Sequence, residues 1–164
     1  MGKLQNAFWS GLLATGPMTM TLLQLQSKLN ISRDKALPPA ALTTDMLAPL
    51  QNNLSKERRI DSSLLSHFGF SVACAVIYSA FYKKVDLSPK NKGLLYGLGI
   101  WATSYLGWVP ALGLRPAAKN VSTERNLQMM AAHVVWGISL AVFMDAFEKH
   151  GKKEWDGKNP ATFS

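Results

Sequence analysis

The chain has 164 residues, which is enough for one domain, and 48 % of them are hydrophobic. The formal net charge is +8, but the basic residues are spread over every link and tail, without a basic helix or an aromatic-interleaved patch. This distribution argues against nucleic-acid binding. The single cysteine, Cys74, excludes an intrachain disulfide.

The charged residues are segregated along the chain. Four windows contain no Lys, Arg, Asp or Glu: Leu4–Ser27, Ser62–Tyr82, Gly93–Leu114 and Asn126–Met144. A soluble helical bundle would carry charges on the exposed face of each helix, whereas about 20 consecutive apolar residues are enough to cross a bilayer. The pattern predicts an all-α polytopic membrane protein, an antiparallel bundle with spans at about 4–27, 62–82, 93–114 and 126–145.

These spans define the predicted domain organisation. Residues 1–150 form a single membrane domain, and residues 151–164 form a polar C-terminal tail. Within the first span, Pro17 frees the carbonyl of Leu13 from its helical hydrogen bond. We therefore expect that face to meet other helices or water rather than acyl chains.

The first loop is predicted to hold a short helix at about residues 39–51. Leu37-Pro38-Pro39 suits a helix start. The apolar residues that follow lie on one side of a weakly charged helix, which is typical of a segment resting on the membrane surface.

The link between the second and third spans is about ten residues long and contains Ser88-Pro89, so these spans should be antiparallel neighbours. We expect the third span to be the central packing partner of the second and fourth. Four lysines lie between Lys83 and Lys92. Because short basic loops stay on the cytoplasmic side, the N- and C-termini are predicted to be cytoplasmic.

Each span carries one stripe of small or polar residues spaced four apart, a spacing that places them on one helix face. In the third span the stripe is Gly99, Thr103, Gly107 and Ala111, and a GxxxG pair, Gly93 and Gly97, precedes it. Helices in lipid pack through small residues, since lipid offers no hydrophobic drive for association. The glycines expected to mediate helix packing are Gly69, Gly97, Gly99, Gly107 and Gly137.

Two histidines, His67 and His133, are predicted to lie at similar depth on these stripes. Ionisable residues inside a membrane are costly and usually face an interior or a cavity, which makes them functional candidates. Tyr105, Trp108 and Pro110 lie at a comparable level of the third span. Pro110 frees the carbonyl of Leu106, an available acceptor for a histidine N–H.

Several roles remain open for this candidate intramembrane polar site. In a purely structural role, each histidine would hold two helices together by bonding to a backbone carbonyl or a serine. Alternatively, His67 and His133 would hold a haem or a divalent metal, or relay protons. Two ligands are too few for a closed zinc site and nothing marks haem, so no cofactor and no metal site is predicted.

No hydrolase triad, phosphate-binding glycine loop or metal-ligand cluster is present in the sequence. An enzyme is therefore the less expected class. The leading hypothesis is a non-enzymatic membrane component with a structural or stress-related role. The alternative is a small transporter, or a proton- or metal-binding module, that uses His67 and His133.

Several short motifs resemble a known group of proteins: HFGF in the second span, GLLYGLGIW and WVPALGL in the third, and AHVVWG in the fourth. With the Pro-Pro entry to the loop helix, they are similar to YagU-like bacterial inner-membrane proteins and related four-span families of unknown function. The resemblance implies a multi-pass inner-membrane protein with a link to acid or envelope stress. It makes His67, Gly69, Gly97, Trp108, Pro110, His133 and Gly137 characteristic positions. The bilayer is the expected partner, and a homo-oligomer or a membrane-protein partner stays open.

Overall fold

Four long helices make up the fold in the computed structural model, which describes residues 2–29, 56–113 and 118–158. They are α1 (Lys3–Lys28), α2 (Lys56–Phe81), α3 (Pro89–Ala102) and α4 (Thr123–Lys158). The described ranges contain no strand, so the all-α prediction is confirmed there. The surface helix predicted at 39–51 lies outside the described residues.

The helix that begins with α3 changes its hydrogen-bonding pattern half-way. A π-helical turn covers Thr103–Trp108, and a short α-helical segment, Val109–Ala111, follows. Inside the turn, Gly107 has φ −111° and ψ −108°, outside the helical region. Pro110 explains the change, because it lacks an N–H and its ring clashes with the carbonyl four residues earlier. The third predicted span is therefore an interrupted helix.

Helix α4 runs past the predicted end of the fourth span. It continues to Lys158, through the first eight residues of the segment predicted to be a polar tail. Residues 151–158 include three lysines and a glutamate, which favour a helix, as well as two glycines, and Pro160 lies just beyond them. Polarity marks where a membrane span ends, but it does not end a helix.

The helices alternate in direction. Helices α1 and α4 are antiparallel, since Ser10 contacts Met144 at one end while Gln128 Nε2 donates to Leu22 O (2.7 Å) at the other. Helix α1 packs between α2 and α4, and α3 packs against α4. The N-terminus, the α2–α3 link and the α4 C-terminus consequently share one end of the bundle, called here the terminal end.

Helix α4 is the central element, in place of the third span. Its contacts with α1 and α3 are the most extensive in the described fold. The backbones of α2 and α3 stay further apart, and aromatic rings fill the space between them. Tyr96 packs against Tyr78 and Phe81, and its hydroxyl donates to the carbonyl of Cys74 (2.7 Å). The short link predicted that α2 and α3 are neighbours. They are in contact through these bulky rings, which keep their backbones apart.

The bundle buries uncharged polar residues among its apolar core and exposes large apolar ones. The buried polar residues are Asn6, Ser10, Thr15, Ser71, Ser79, Ser104, Gln128 and His133. Large apolar residues are exposed outside, on every helix. They include Phe8, Trp9, Leu13, Met20, Phe70, Ile77, Leu95, Leu106 and Leu127.

By length and composition, one helix in the described ranges could cross a membrane: Thr123–Lys153, with 31 residues. The core helix of a soluble protein has the same properties, so this finding gives a membrane location only weak support. The four helices coincide in position with the four predicted spans, but the other three do not pass the same test.

Candidate polar site inside the helix bundle

A hydrogen-bonded group at the centre of the bundle joins three helices. Ser71 on α2 donates to the carbonyl of Gly11 on α1 (2.7 Å) and accepts from Trp136 Nε1 on α4 (2.8 Å). Thr15 Oγ1 lies 3.0 Å from both Ser71 Oγ and Gly11 O. We call Gly11, Thr15, Ser71 and Trp136 the serine clamp.

The serine clamp forms because small residues bring α1 and α2 together. A Cβ atom at Gly11 would lie 2.7 Å from the Cβ of Ala75 and 3.1 Å from the carbonyl oxygen of Ser71. Close backbone approach lets the short serine side chain reach across to α1, while the longer indole reaches it from α4. Each polar atom of the clamp therefore has a partner in the dry interior, as burial requires.

His133 lies on α4, one turn from the serine clamp, and is buried. Its Nδ1 lies 2.8 Å from the carbonyl of Met129, one turn earlier in the same helix. A carbonyl only accepts, so Nδ1 carries the proton and Nε2 keeps the lone pair in the neutral ring. The carbonyl of Leu106, freed by Pro110, is not the acceptor for this N–H.

His67 lies at the same level on α2. The bond between Ser71 and Trp136 fixes the register of α2 against α4, and the two histidines lie one turn from it in the same direction. His67 is half-buried and within electrostatic range of His133. The structure thus brings the two histidines to the same end of the bundle, away from the termini.

The other three predicted site residues belong to the interrupted part of the third helix. Tyr105 lies in the π-helical turn and packs edge-on against His133, with ring centroids 5.8 Å apart. Trp108 packs instead against Phe70 of α2, at 6.1 Å. Pro110 lies in the short segment that follows and is half-buried. Of these three residues, Tyr105 makes the ring contact with His133.

The closest helix contact is between α3 and α4, and glycines form it. A Cβ at Gly97 would lie 2.2 Å from His133 O, and one at Gly137 would lie 2.2 Å from Gly93 O. Any side chain at these positions would force the two backbones apart. Gly97 and Gly137 are therefore in the contact where the sequence placed them.

Three other glycines expected to mediate packing lie elsewhere. A Cβ at Gly69, Gly99 or Gly107 would meet no described atom within 4 Å, and all three residues are exposed. The stripe at 99, 103, 107 and 111 consequently faces outward. The rotation of α3 about its axis explains this. Gly93 and Gly97 face α4, so the stripe that begins at Gly99 faces away from α4.

The terminal end of the bundle holds a charged group. The carboxylate of Glu148 on α4 accepts from the Tyr82 hydroxyl and pairs with Lys83. Asp145 pairs with Lys149 (2.8 Å) one turn along the same helix. Partial burial would raise the pKa of Glu148, but the hydrogen bonds from Lys83 and Tyr82 outweigh it and hold the pKa below its ordinary value of 4.5.

Sequence reasoning missed several members of these groups. Nothing local marked Trp136 as the partner of Ser71, since a tryptophan in an apolar run also suits a lipid interface. Gln128 was a usable signal, because an amide in an uncharged window needs a partner. Its bond to α1 follows from that need.

The two groups of polar residues offer different chemistry. The described residues include no group of three or more His, Cys, Asp or Glu side chains that could hold a metal ion. In the serine clamp, the hydroxyl of Ser71 bonds to a backbone carbonyl, a threonine and an indole. The histidine end differs, because the neutral His133 ring packs edge-on against Tyr105.

Comparison with known proteins identifies a family. The profile of a family described as a protein of unknown function, DUF1440, matches residues 30–142, more than half of the chain. No curated protein and no solved structure matches the chain. The match covers α2, α3 and most of α4, together with the serine of the clamp and both histidines. The chain therefore belongs to the DUF1440 family of proteins of unknown function.

Proposed function

We propose that this chain is an integral protein of the bacterial inner membrane, with four spans and both termini in the cytoplasm. The observation that supports this most directly is the exposure of large apolar side chains on all four helices. The polar side chains buried inside are uncharged and bond to one another, as in the serine clamp, or to backbone carbonyls, as Gln128 does.

Helix α1 illustrates the argument. No charged residue lies between Lys3 and Lys28, and the exposed face carries Phe8, Trp9 and Leu13. In water such a surface would aggregate, since soluble monomers rarely expose large contiguous apolar patches. In a bilayer the same surface is solvated by acyl chains.

Within the membrane, the proposed role is structural and non-enzymatic, in the envelope or its response to stress. The serine clamp and the bond from Gln128 to Leu22 act as hydrogen-bonded connections between helices. The bilayer is the proposed partner, with a second copy or another membrane protein as further candidates.

Fractionation tests the membrane proposal. The full chain, expressed in bacteria with a C-terminal tag, should sediment with membranes, resist extraction by alkaline carbonate and dissolve in detergent. A known peripheral protein carried through the same steps is the control. Recovery of the chain in the carbonate supernatant, or in the soluble fraction as a folded protein, would overturn the proposal.

A second candidate function is a proton- or metal-binding module at the histidine end. The observation that favours it is the edge-on contact of the buried His133 ring with Tyr105, with His67 at the same level. Metal analysis and an absorbance spectrum of the detergent-purified protein test this candidate. Stoichiometric metal or a haem band that His67→Ala or His133→Ala removes, and His150→Ala keeps, would support it. If metal and the haem band are both absent, and the His67 and His133 variants show unaltered pH tolerance, the candidate is eliminated.

A further inference from the structure

We propose that the lysines where α2 passes into α3 form a binding site for anionic phospholipid headgroups. The site, called here the lysine collar, consists of Lys84, Lys90 and Lys92. The inference rests on the proposed membrane location and adds a specific lipid class to it.

The collar lies where the apolar surface of the bundle ends. Tyr82–Lys84 form a 3₁₀ turn after α2, and Lys90 is in the first turn of α3. Lys84 and Lys90 are exposed. The outward side chains of Ile77 and Leu95, which lie about one to two turns further into the bundle, are apolar and exposed as well. This placement puts the ammonium groups at the depth of lipid headgroups.

The charge of the collar is not cancelled by the nearby carboxylates. Lys83 pairs with Glu148, and Lys149 pairs with Asp145, so these two carboxylates at the terminal end already have partners. Asp86 is the remaining acidic residue between Lys83 and Lys92. Among the described residues, no carboxylate forms an ion pair with Lys84, Lys90 or Lys92. The collar therefore keeps a net positive charge.

The start of α3 adds to this charge. The first turn of α3 contains no acidic residue, so no carboxylate within that turn offsets the positive end of its helix dipole. Ser88 caps the helix by accepting the N–H of Asn91 (3.3 Å), and Lys90 and Lys92 follow directly in the first turns of α3. Lysines in this position attract negative charge and hold it at the membrane surface.

The combination of charge and apolar surface indicates a lipid rather than a free anion. A free phosphate would gain only the charge interaction with the lysines. An anionic phospholipid gains the same interaction and also places its acyl chains along the exposed faces of α2 and α3. The partner is accordingly a lipid with a negative headgroup, such as phosphatidylglycerol.

Native mass spectrometry of the full chain in neutral detergent tests the proposal. Titration with phosphatidylglycerol should give bound lipid at concentrations at which phosphatidylcholine of the same chain length does not bind. The Lys84→Gln/Lys90→Gln variant should bind phosphatidylglycerol more weakly, by roughly 30-fold, as expected for the removal of two surface lysines.

The matched control is Lys28→Gln/Lys119→Gln. Both residues are exposed and lie at the opposite end of the bundle. This double substitution lowers the net charge by the same amount as Lys84→Gln/Lys90→Gln. This variant should keep wild-type phosphatidylglycerol binding. Equal binding of both lipids by the wild type, or equal losses in the two variants, would overturn the proposal. Displacement of the lipid by an equal concentration of inorganic phosphate would overturn the lipid assignment.

This experiment is independent of membrane fractionation. A chain that resists carbonate extraction but shows no preference for phosphatidylglycerol keeps the proposed membrane location and loses the lipid site. If alkaline carbonate extracts the chain, both the proposed membrane location and the lipid inference are wrong.

Discussion

The hydroxyl of Ser71 donates to the carbonyl of Gly11 and accepts from the indole of Trp136, so one side chain connects α1, α2 and α4. Hydrogen bonds between membrane helices each contribute modestly, about 0.6 kcal/mol on average. A side chain that bonds to two other helices contributes more, because its removal leaves other buried groups unpaired. Ser71 should therefore contribute more to stability than a serine bonded within its own helix.

Ser71→Ala tests this expectation. The substitution leaves Trp136 Nε1 without its acceptor in the buried core, and we expect a loss of about 1–2 kcal/mol of folding stability. Thermal unfolding in detergent, followed by tryptophan fluorescence, measures it. Ser79→Ala is the control, since Ser79 is buried but bonds to Val76 of its own helix (2.7 Å). Equal losses in the two variants would contradict the bridging role.

Glu148 predicts a pH dependence. The folded state holds the pKa of its carboxyl below the ordinary value of 4.5, because Lys83 and Tyr82 donate to the ionised form. Its contribution is therefore fully present above the unfolded pKa and is lost as the pH falls through the lower folded pKa. The carboxylate is one-third exposed, so Glu148→Gln should cost only about 0.2–1 kcal/mol at pH 7.

The measurement is the difference in melting temperature between the wild type and Glu148→Gln at several pH values. The difference should stay constant from pH 7 down to about 5 and then shrink. A difference that grows on acidification would show that the carboxyl is stabilised in its neutral form. The assignment of the Lys83 and Tyr82 bonds would then be wrong.

At the scale of the elements, the contact of α3 with α4 depends on the absence of side chains at three glycines. Gly93 and Gly97 lie so close to Gly137 that backbone meets backbone. In the proposed bilayer, where apolar burial does not drive association, dispersion along the closely packed backbones would stabilise this contact. It should be the part of the bundle most sensitive to added volume.

Gly97→Ala and Gly99→Ala form a matched pair for this prediction. The methyl group at position 97 would overlap the carbonyl of His133 and should cost about 1–3 kcal/mol by overpacking. The methyl group at position 99 meets no described atom within 4 Å, so it should be neutral or stabilise the helix by up to about 1 kcal/mol. Unfolding in detergent compares them, and the reverse order would contradict the observed helix register.

The positions of the helices could be predicted from the sequence, while their rotation could not. Charge-free windows bounded by charged residues marked the positions of α1 to α4. The bounds differ most at the start of α2, at the interruption after α3 and at the polar extension of α4. The π-helical turn was not predicted, although Pro110 supplied its cause. Glycines spaced four apart marked two possible faces of the third span, one at 93 and 97 and one at 99 and 107. Nothing local decided between them.

At the scale of the whole molecule, alternating helices place the α2–α3 link and the short α3–α4 link at opposite ends of the bundle. If the four helices span a membrane, those links lie on opposite sides of it. In that case, the positive-inside rule predicts that the α2–α3 link, which carries the lysine collar, is on the cytoplasmic side.

Cysteine labelling in intact cells checks this topology. Leu87 and Asn120 are exposed and lie in the two links, and Cys74 is the sole native cysteine. In a Cys74→Ala background, Asn120→Cys should react with a membrane-impermeant maleimide, and Leu87→Cys should react only after the cells are opened. The opposite pattern would invert the proposed orientation, and labelling of both in intact cells would contradict four spans.

The sequence by itself determined that this protein is helical and where its uncharged segments begin and end, because exclusion of charge from a segment is a local property. It also marked His67 and His133 as unusual, since an ionisable group in an uncharged window stands out without any structure. Only the tertiary structure decided which face of each helix is inward. A helix without charged residues has no polar side to point outward, so the small residues at 97 and 99 are equivalent until a partner helix is in place. The position of Gly137 on α4 supplied that choice, and with it the contacts of His133, Tyr105 and the serine clamp.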